Sequence, residues 1–210
     1  VNIQDANITA GSIDAQSLSS NNNFVDLVTG SVGLAISGAG VIAKTSDKSK
    51  SKSILSGNFT LSGRLADSSG PSGIFRVNTQ HTATFDHKVL VFSGGMLAGT
   101  GADINHDINV DTLSVVSDDS SVVANDIGIT SRTDVNKNLQ SGRNLDGYAV
   151  AGLAAAGSDN SIDIRVDTQV QIKDDVTLSV RGDKSSPGAV NLHTFNHFDI
   201  DDESLFVAAG

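Results

Sequence analysis

Near its end the sequence has an acidic segment whose side chains could bind a divalent cation. The carboxylates belong to Asp199, Asp201, Asp202 and Glu203. Calcium prefers carboxylate and carbonyl oxygens in a flexible geometry, so these four residues are candidate calcium ligands. On a strand, Asp199 and Asp201 would share one face while Asp202 points to the other, so a single site would require a turn here. A solvated turn without any metal explains the same residues.

A second candidate is an adhesion motif in the tripeptide Arg181, Gly182 and Asp183. It directly follows an alternating segment that ends at Val180, which places it in a turn after a strand. An arginine and an aspartate displayed together on a tight loop can engage cell-surface adhesion receptors. The turn itself needs no receptor to explain it, so the structural interpretation stays open beside the functional one.

The histidines give weak signals for metal binding or catalysis. His193 and His197 are four residues apart in a segment with strand character, where the two side chains would lie about 13 Å apart. His81 and His87 flank a short polar segment, and we expect them to be loop residues. The chain has no nucleophile elbow, phosphate-binding loop or dinucleotide motif. We therefore predict no catalytic residues and no cofactor other than the calcium considered above.

The elements that would position these residues are strands and turns. Glu203 is the only glutamate among 24 acidic residues, whereas Asp, Asn, Ser and Gly are abundant. Short polar side chains hydrogen-bond to the nearby backbone and favour turns over helices. Apolar and polar residues alternate in several segments, as in 110–115 and 176–180, which is typical of half-buried strands. The composition thus predicts an all-β protein.

A repeat organises these strands. Residues 103–112 match residues 159–168 at a spacing of 56 positions, and each copy follows a run of small residues. Fixed self-similarity of this kind is typical of stacked, elongated architectures. We predict one elongated domain over residues 1–210. The small-residue runs occupy 33–40, 94–101, 151–157 and 205–210, and the modules that they delimit are approximately 33–90, 91–147 and 148–204.

The repeat favours a parallel β-helix, that is, a β-solenoid with modules of about 56–57 residues. Each module would divide into three coils of roughly 19 residues, giving about eleven coils spaced about 4.8 Å apart and a rod about 50 Å long. Inward side chains would stack on their own equivalents, and small residues would occupy tight corners. The alternative is a β-sandwich or jelly-roll subunit that arose by duplication of a β-meander, because alternation fits both folds.

The order of elements within a module resembles that of large repetitive bacterial exoproteins. A small-residue run is followed by a polar run, an Ile-x-Val strand and a Leu-Ser-Val strand (113–115 and 178–180). The nearest are the filamentous-haemagglutinin-type and leukotoxin-type adhesins, which also lack cysteine. The resemblance implies a right-handed parallel β-helix shaft, export through an outer-membrane pore, and adhesion or surface display. The chain departs from that pattern in the long spacing from Leu34 to Leu97 and in an insert around 68–87.

These observations together predict a non-enzymatic, extracellular structural protein of bacterial origin: a shaft segment of a surface adhesin or a subunit of an extracellular filament. A β-sandwich subunit that polymerises by donating a terminal strand is one alternative, and a polysaccharide-active β-helix enzyme is another. The expected partners are further copies, bound through terminal strands or coil ends such as 1–3 and 205–207, and a host or cell-surface ligand. A net charge of −10 disfavours nucleic acid and anionic membranes as partners.

Overall fold

A computed structural model describes residues 1–61, 73–137, 144–181 and 187–210, and all strand pairs among them are parallel. The all-β prediction is confirmed. Antiparallel pairing, which a sandwich of meanders requires, does not occur in the described part of the chain. The strands are β1 (Asn2–Ala10), β2 (Ile13–Val32), β3 (Ile36–Leu61), β4 (Ile74–Val116), β5 (Ser121–Ala124), β6 (Asp126–Lys137), β7 (Leu145–Ile172), β8 (Thr177–Val180), β9 (Val190–Ile200) and β10 (Ser204–Ala209).

The repeated segments are direct neighbours in the sheet. Asp103 pairs with Asp159, and the register runs unbroken to Thr112 and Thr168. Ile108 therefore lies beside Ile164, so that inward residues stack on the residues one full repeat away. Because hydrogen-bonded neighbours are already a full repeat apart in the sequence, the division of each module into three coils is wrong. The predicted number of coils and the predicted length of the rod are wrong for the same reason.

Strand β4 folds back so that two arms face each other through their side chains, and β2 and β3 occupy the same two positions in the preceding pass. In β4 the first arm covers 74–94 and the second arm 97–116. Thr79 and Ser114 on these arms are hydrogen-bonded to each other, although they are 35 residues apart in one strand. We call the facing segments first arms (13–32, 74–94, and β6 together with 145–150 of β7) and second arms (36–55, 97–116 and 153–172).

A third, shorter column of strands completes the layout. In this column β1 pairs with residues 54–61 of β3, residues 58–60 of β3 pair with β5, and β5 pairs with β8. The largest apolar cluster lies between this column and the first part of the arms, where the rings of Phe59 and Phe75 are 5.4 Å apart. The aliphatic side chains of these columns cover the inner face of the parallel sheet. Parallel sheets are normally found with their faces covered in this way.

The small-residue runs have two different positions. The chain reverses between arms near 33–35 and near 95–96, as expected of corners. Gly99 and Gly101, however, pair with Ala155 and Gly157 within straight parts of the second arms, so the expectation that all small rows occupy corners is wrong. A glycine and alanine track therefore runs across the outer face.

The register also corrects two alignments made from the sequence. Leu97 pairs with Ile36 and not with Leu34, so the repeat here is shorter than the spacing between the two leucines. Residues 205–209 pair with 146–150, at the end of a first arm. In the repeat they therefore correspond to the segment just before the small-residue run at 151–157, and not to that run itself. The proposed insert around 68–87 falls partly on residues 62–72, outside the described ranges, and from Ile74 onwards it is regular strand. In the described residues no helix is long and apolar enough to cross a membrane.

Candidate functional site

The space between the arms is polar over much of its length. A chain of buried hydroxyl groups crosses it: Thr79 donates to Ser53 at 2.7 Å, Ser114 donates to Thr79 at 2.8 Å, and Ser131 donates to Ser114 at 2.9 Å. These residues alternate between arms and between successive passes of the chain. Buried hydroxyls that find partners only in one arrangement set the relative position of the two walls.

Two buried histidines lie farther along the same interior. The Nδ1 atom of His87 is 2.8 Å from Nε2 of His106, and the hydroxyl of Thr45 is 2.5 Å from the other ring nitrogen of His106. His87 is wholly buried within β4, so the expectation of a loop residue is wrong. Burial lowers the pKa of each of these imidazoles to about 4, because the charged form cannot be solvated there. The positive charge of Lys137 acts in the same direction.

His81 is also a buried strand residue, which corrects its expected place in a loop. Its Nδ1 atom is 2.6 Å from the hydroxyl of Ser19, and its Nε2 atom is 3.6 Å from a carboxylate oxygen of Asp47. Asp47 in turn accepts a hydrogen bond from Asn21 at 2.9 Å. These contacts join the first and second passes of the chain through polar side chains.

A third group centres on Lys137, whose side chain is completely buried. Its ammonium donates to Oδ1 of Asp202 at 2.8 Å and to the backbone carbonyl of Asp201 at 3.1 Å. A second carboxylate oxygen, Oδ1 of Asp86, is 4.0 Å from the same nitrogen. One buried cation therefore lies between two acidic side chains that come from different passes of the chain.

Burial raises the pKa of Asp86, although a backbone hydrogen bond from His87 and the charge of Lys137 oppose the shift. Oδ1 of Asp86 also accepts a hydrogen bond from the amide of Asn144 at 2.5 Å. The other oxygen, Oδ2, is buried and has no hydrogen-bond partner among the residues that the structure describes. Such an environment favours the protonated carboxyl group.

A change of register creates this pocket of polar groups. Lys137 pairs with Phe85, while Leu145 pairs with Val89. Seven residues therefore lie between the paired positions of one pass, against three (Asp86, His87 and Lys88) in the neighbouring pass. Among the described residues the ladder on this side of β4 ends at Phe85 and resumes at Val89, and at this break Asp86 is buried beside His87 instead of alternating outward.

The predicted calcium ligands do not all point to one place. Asp199 lies at the end of β9 beside Asn136, and its side chain is exposed. Asp202 is directed to Lys137 and also accepts a hydrogen bond from Asn160. The backbone carbonyl of Glu203 accepts from the N–H of Asn144 at 3.0 Å. No group of three or more His, Asp or Glu side chains suited to a metal ion occurs in the described ranges, and calcium binding by this segment stays a prediction.

The predicted adhesion motif is only partly visible. Arg181 is exposed directly after β8, and its backbone N–H donates to the carbonyl of Ala124 at 2.7 Å. Gly182 and Asp183 lie outside the described residues. His193 and His197 lie on the exposed strand β9.

Sequence reasoning missed Lys137, Asp86 and His106 as members of one cluster. A signal for Lys137 existed, because it occupies an inward position whose neighbours in register are Phe85 and Ile200. A lysine in an aliphatic and aromatic column requires a buried anion. That signal becomes visible only once the register is known. No family model, curated protein or solved structure matches this chain.

Proposed function

We propose that this chain is a non-enzymatic, extracellular structural module: a β-solenoid segment that forms part of the shaft of a bacterial surface adhesin or a subunit of an extracellular filament. The observation that carries the proposal is the parallel, in-register stacking of successive passes, as in the pairing of 97–116 with 153–172. Parallel stacking of each pass on the one before it supports a solenoid, because solenoids are built from units that contact mainly their neighbours.

The path of the chain supports the solenoid. Each pass runs through the short column, a first arm and a second arm before it returns to the short column one strand higher. Residues 54–61 lie above β1, and β5 lies above residues 58–60. Contacts thus connect a pass mainly to the passes directly before and after it, and such a stack extends by adding further passes.

The side-chain interactions suit a stiff structural module that bears load. Backbone ladders run along the stack, and aliphatic columns and the hydroxyl chain fill the space between the arms. On the outer face, Lys48 and Lys50 of one pass pair with Asp107 at 3.7 Å and Asp111 at 3.0 Å of the next. These exposed pairs contribute little stability individually, but they favour one register over a shifted one.

Self-association is part of this proposal. Strand β9 pairs with β6 on one side, and in the described part of the chain no strand pairs with its other edge. Several of its apolar side chains are exposed, including Leu192 and Phe198. Unpaired strand edges of this type bind further strands. The proposed partner is a further pass of the same kind, supplied by another copy of the chain.

Particle shape in negative-stain electron microscopy tests the proposal. A first arm of 20 residues spans about 65 Å, and three to four stacked passes span only about 15–20 Å, so single copies should appear as flat, elongated particles. Uniform filaments would identify the chain as a self-assembling subunit. Near-spherical particles at every concentration would contradict the solenoid.

A further inference from the structure

We propose that Lys137 and Asp202 form an intramolecular amide bond, with Asp86 as the group that transfers protons. The three side chains converge from different passes of the chain: Lys137 ends β6, Asp202 lies between β9 and β10, and Asp86 lies within β4. The inference rests on this cluster alone and does not depend on an extracellular or adhesive role.

The nucleophile and the electrophile are already in contact. The Nζ atom of Lys137 is 2.8 Å from Oδ1 of Asp202, and the lysine side chain is completely buried. Groups held in this way react as if at very high concentration, because the entropy of bringing them together has been lost on folding.

The carboxyl group of Asp202 has a hydrogen-bond donor on its other oxygen. The amide of Asn160 donates to Oδ2 of Asp202. A donor at this position polarises the carboxyl carbon and stabilises the negative charge that develops on Oδ2 when nitrogen attacks. The arrangement leaves Oδ1, the atom nearest to Lys137, as the oxygen that departs.

Asp86 is positioned to move the protons. Its Oδ1 atom is 4.0 Å from Nζ of Lys137, and hydrogen bonds from Asn144 and from the backbone of His87 fix its orientation. Burial raises the pKa of this carboxyl group, which favours its holding a proton and then exchanging it with the reacting groups. Its buried Oδ2 atom has no hydrogen-bond partner within the described ranges.

The reaction balances without any other reactant. The ammonium of Lys137 loses a proton through Asp86, and the same carboxyl group delivers a proton to Oδ1 of Asp202. The lone pair of Nζ then forms the bond to Cγ of Asp202, and the Cγ–Oδ1 bond breaks. The nitrogen gives up a second proton, Oδ1 leaves as water, and Asp86 returns to its initial state. An ammonium and a carboxylate thereby become one amide and one water molecule.

The product removes an unfavourable feature of the fold. The ammonium of Lys137 is completely buried and loses its hydration, which its attraction to a carboxylate need not fully offset, whereas a neutral amide nitrogen costs far less to bury. The bond would join residues that are 65 positions apart, and would tie the last described pass to the one before it. Forces that open the stack at this point would then act on a covalent bond.

Mass spectrometry of the purified, fully denatured chain tests the proposal. We expect an intact mass lower by one water than the sequence requires, and a protease-derived peptide pair joined through Lys137 and Asp202. Because succinimide formation also removes water, the joined peptide pair is the decisive result. An unmodified mass, or a lost water with no joined pair, would overturn the proposal.

Two variants and a control assign the roles. Asp86→Asn keeps both reacting residues, and we expect it to slow formation of the joined pair at least tenfold after refolding. Lys137→Arg should abolish the pair. Asp201→Asn is the matched control, since only the backbone of Asp201 contacts Lys137, and it should react like the unaltered chain. Equal yields in the Asp86→Asn variant and the control would exclude the proton-transfer role.

Discussion

At the scale of single residues, the interior histidines make stability depend on pH. His87 and His106 have a folded-state pKa of about 4, below the ordinary value of 6.5. The unfolded chain therefore binds more protons between these values, and stability is lost as the pH falls from 6.5 through 4. Asp86 acts in the opposite direction, because its raised pKa favours its protonated form in the fold. Two histidines oppose this one carboxyl group, so the histidines should dominate.

We expect the free energy of unfolding to fall by about 1.4 kcal/mol per pH unit for each proton taken up in this window. Urea denaturation at several pH values between neutrality and the folded-state pKa measures the slope. His106→Gln should reduce it, whereas His193→Gln, on an exposed strand, should leave it unchanged. A slope that is the same in all three proteins would contradict the assignment to the buried pair.

The hydroxyl chain gives a second prediction at this scale. Thr79→Val keeps the shape of the side chain but leaves Ser53 without its donor and Ser114 without one acceptor. We expect a loss of about 1–3 kcal/mol, the cost of burying unpaired polar groups. Thr82→Val, at a half-buried position of the same arm, is the control and should change stability by less than about 0.5 kcal/mol. Chemical denaturation of the two variants compares them directly.

At the scale of elements, the junction between β1 and β3 depends on one glycine. Gly57 has a φ of 117°, and a Cβ atom there would lie 2.1 Å from the carbonyl oxygen of Ala6. The register between these strands shifts at this point, between Ile3 and Ala6. A side chain at residue 57 would therefore meet both backbone strain and a clash.

Gly57→Ala should destabilise the fold by about 1–3 kcal/mol, with the loss arising from the displaced β1. Gly128→Ala is the matched control, because a Cβ atom at that position would have no other atom within 4 Å; it should be neutral or slightly stabilising. Thermal unfolding of both variants, together with hydrogen exchange of β1, measures the difference. Equal stability of the two variants would show that the junction is not constrained.

The alternation of apolar and polar residues and the repeat spacing predict some features of these elements and not others. The 56-residue spacing marks Ile164 as the equivalent of Ile108, but it does not show that the two are adjacent, because three coils fitted the same spacing. Alternation identifies inward positions such as Ile108, so its burial was predictable. The fold-back was not, because alternation does not say which inward residues face each other across the interior. Hence the contact of His87 with His106, 19 positions apart in one strand, and the cluster at Lys137 emerged only from the structure.

At the scale of the whole molecule, the edge of β9 that has no paired strand among the described residues should control self-association. Leu192 stacks on Ile129 in an inward column, while Asn191 beside it lies on the outward face next to Gly128. A charge in the inward column prevents another strand from covering that edge. Leu192→Lys should abolish concentration-dependent association in sedimentation velocity. Asn191→Lys adds the same charge on the other face and should still associate; if both variants associate alike, another surface is responsible.

The central claim is that each pass of the chain stacks directly on the residues one repeat away, and engineered disulfides test it most directly. The chain has no cysteine, so pairs can be introduced singly. Asp107 and Asp163 are neighbours in register, about 4.8 Å apart across the ladder, which suits a disulfide. We predict that Asp107→Cys with Asp163→Cys oxidises in the folded protein, whereas Asp107→Cys with Asp126→Cys, the pair expected if each module formed three coils, does not. Ready oxidation of the second pair and not the first would contradict the stacked-pass account.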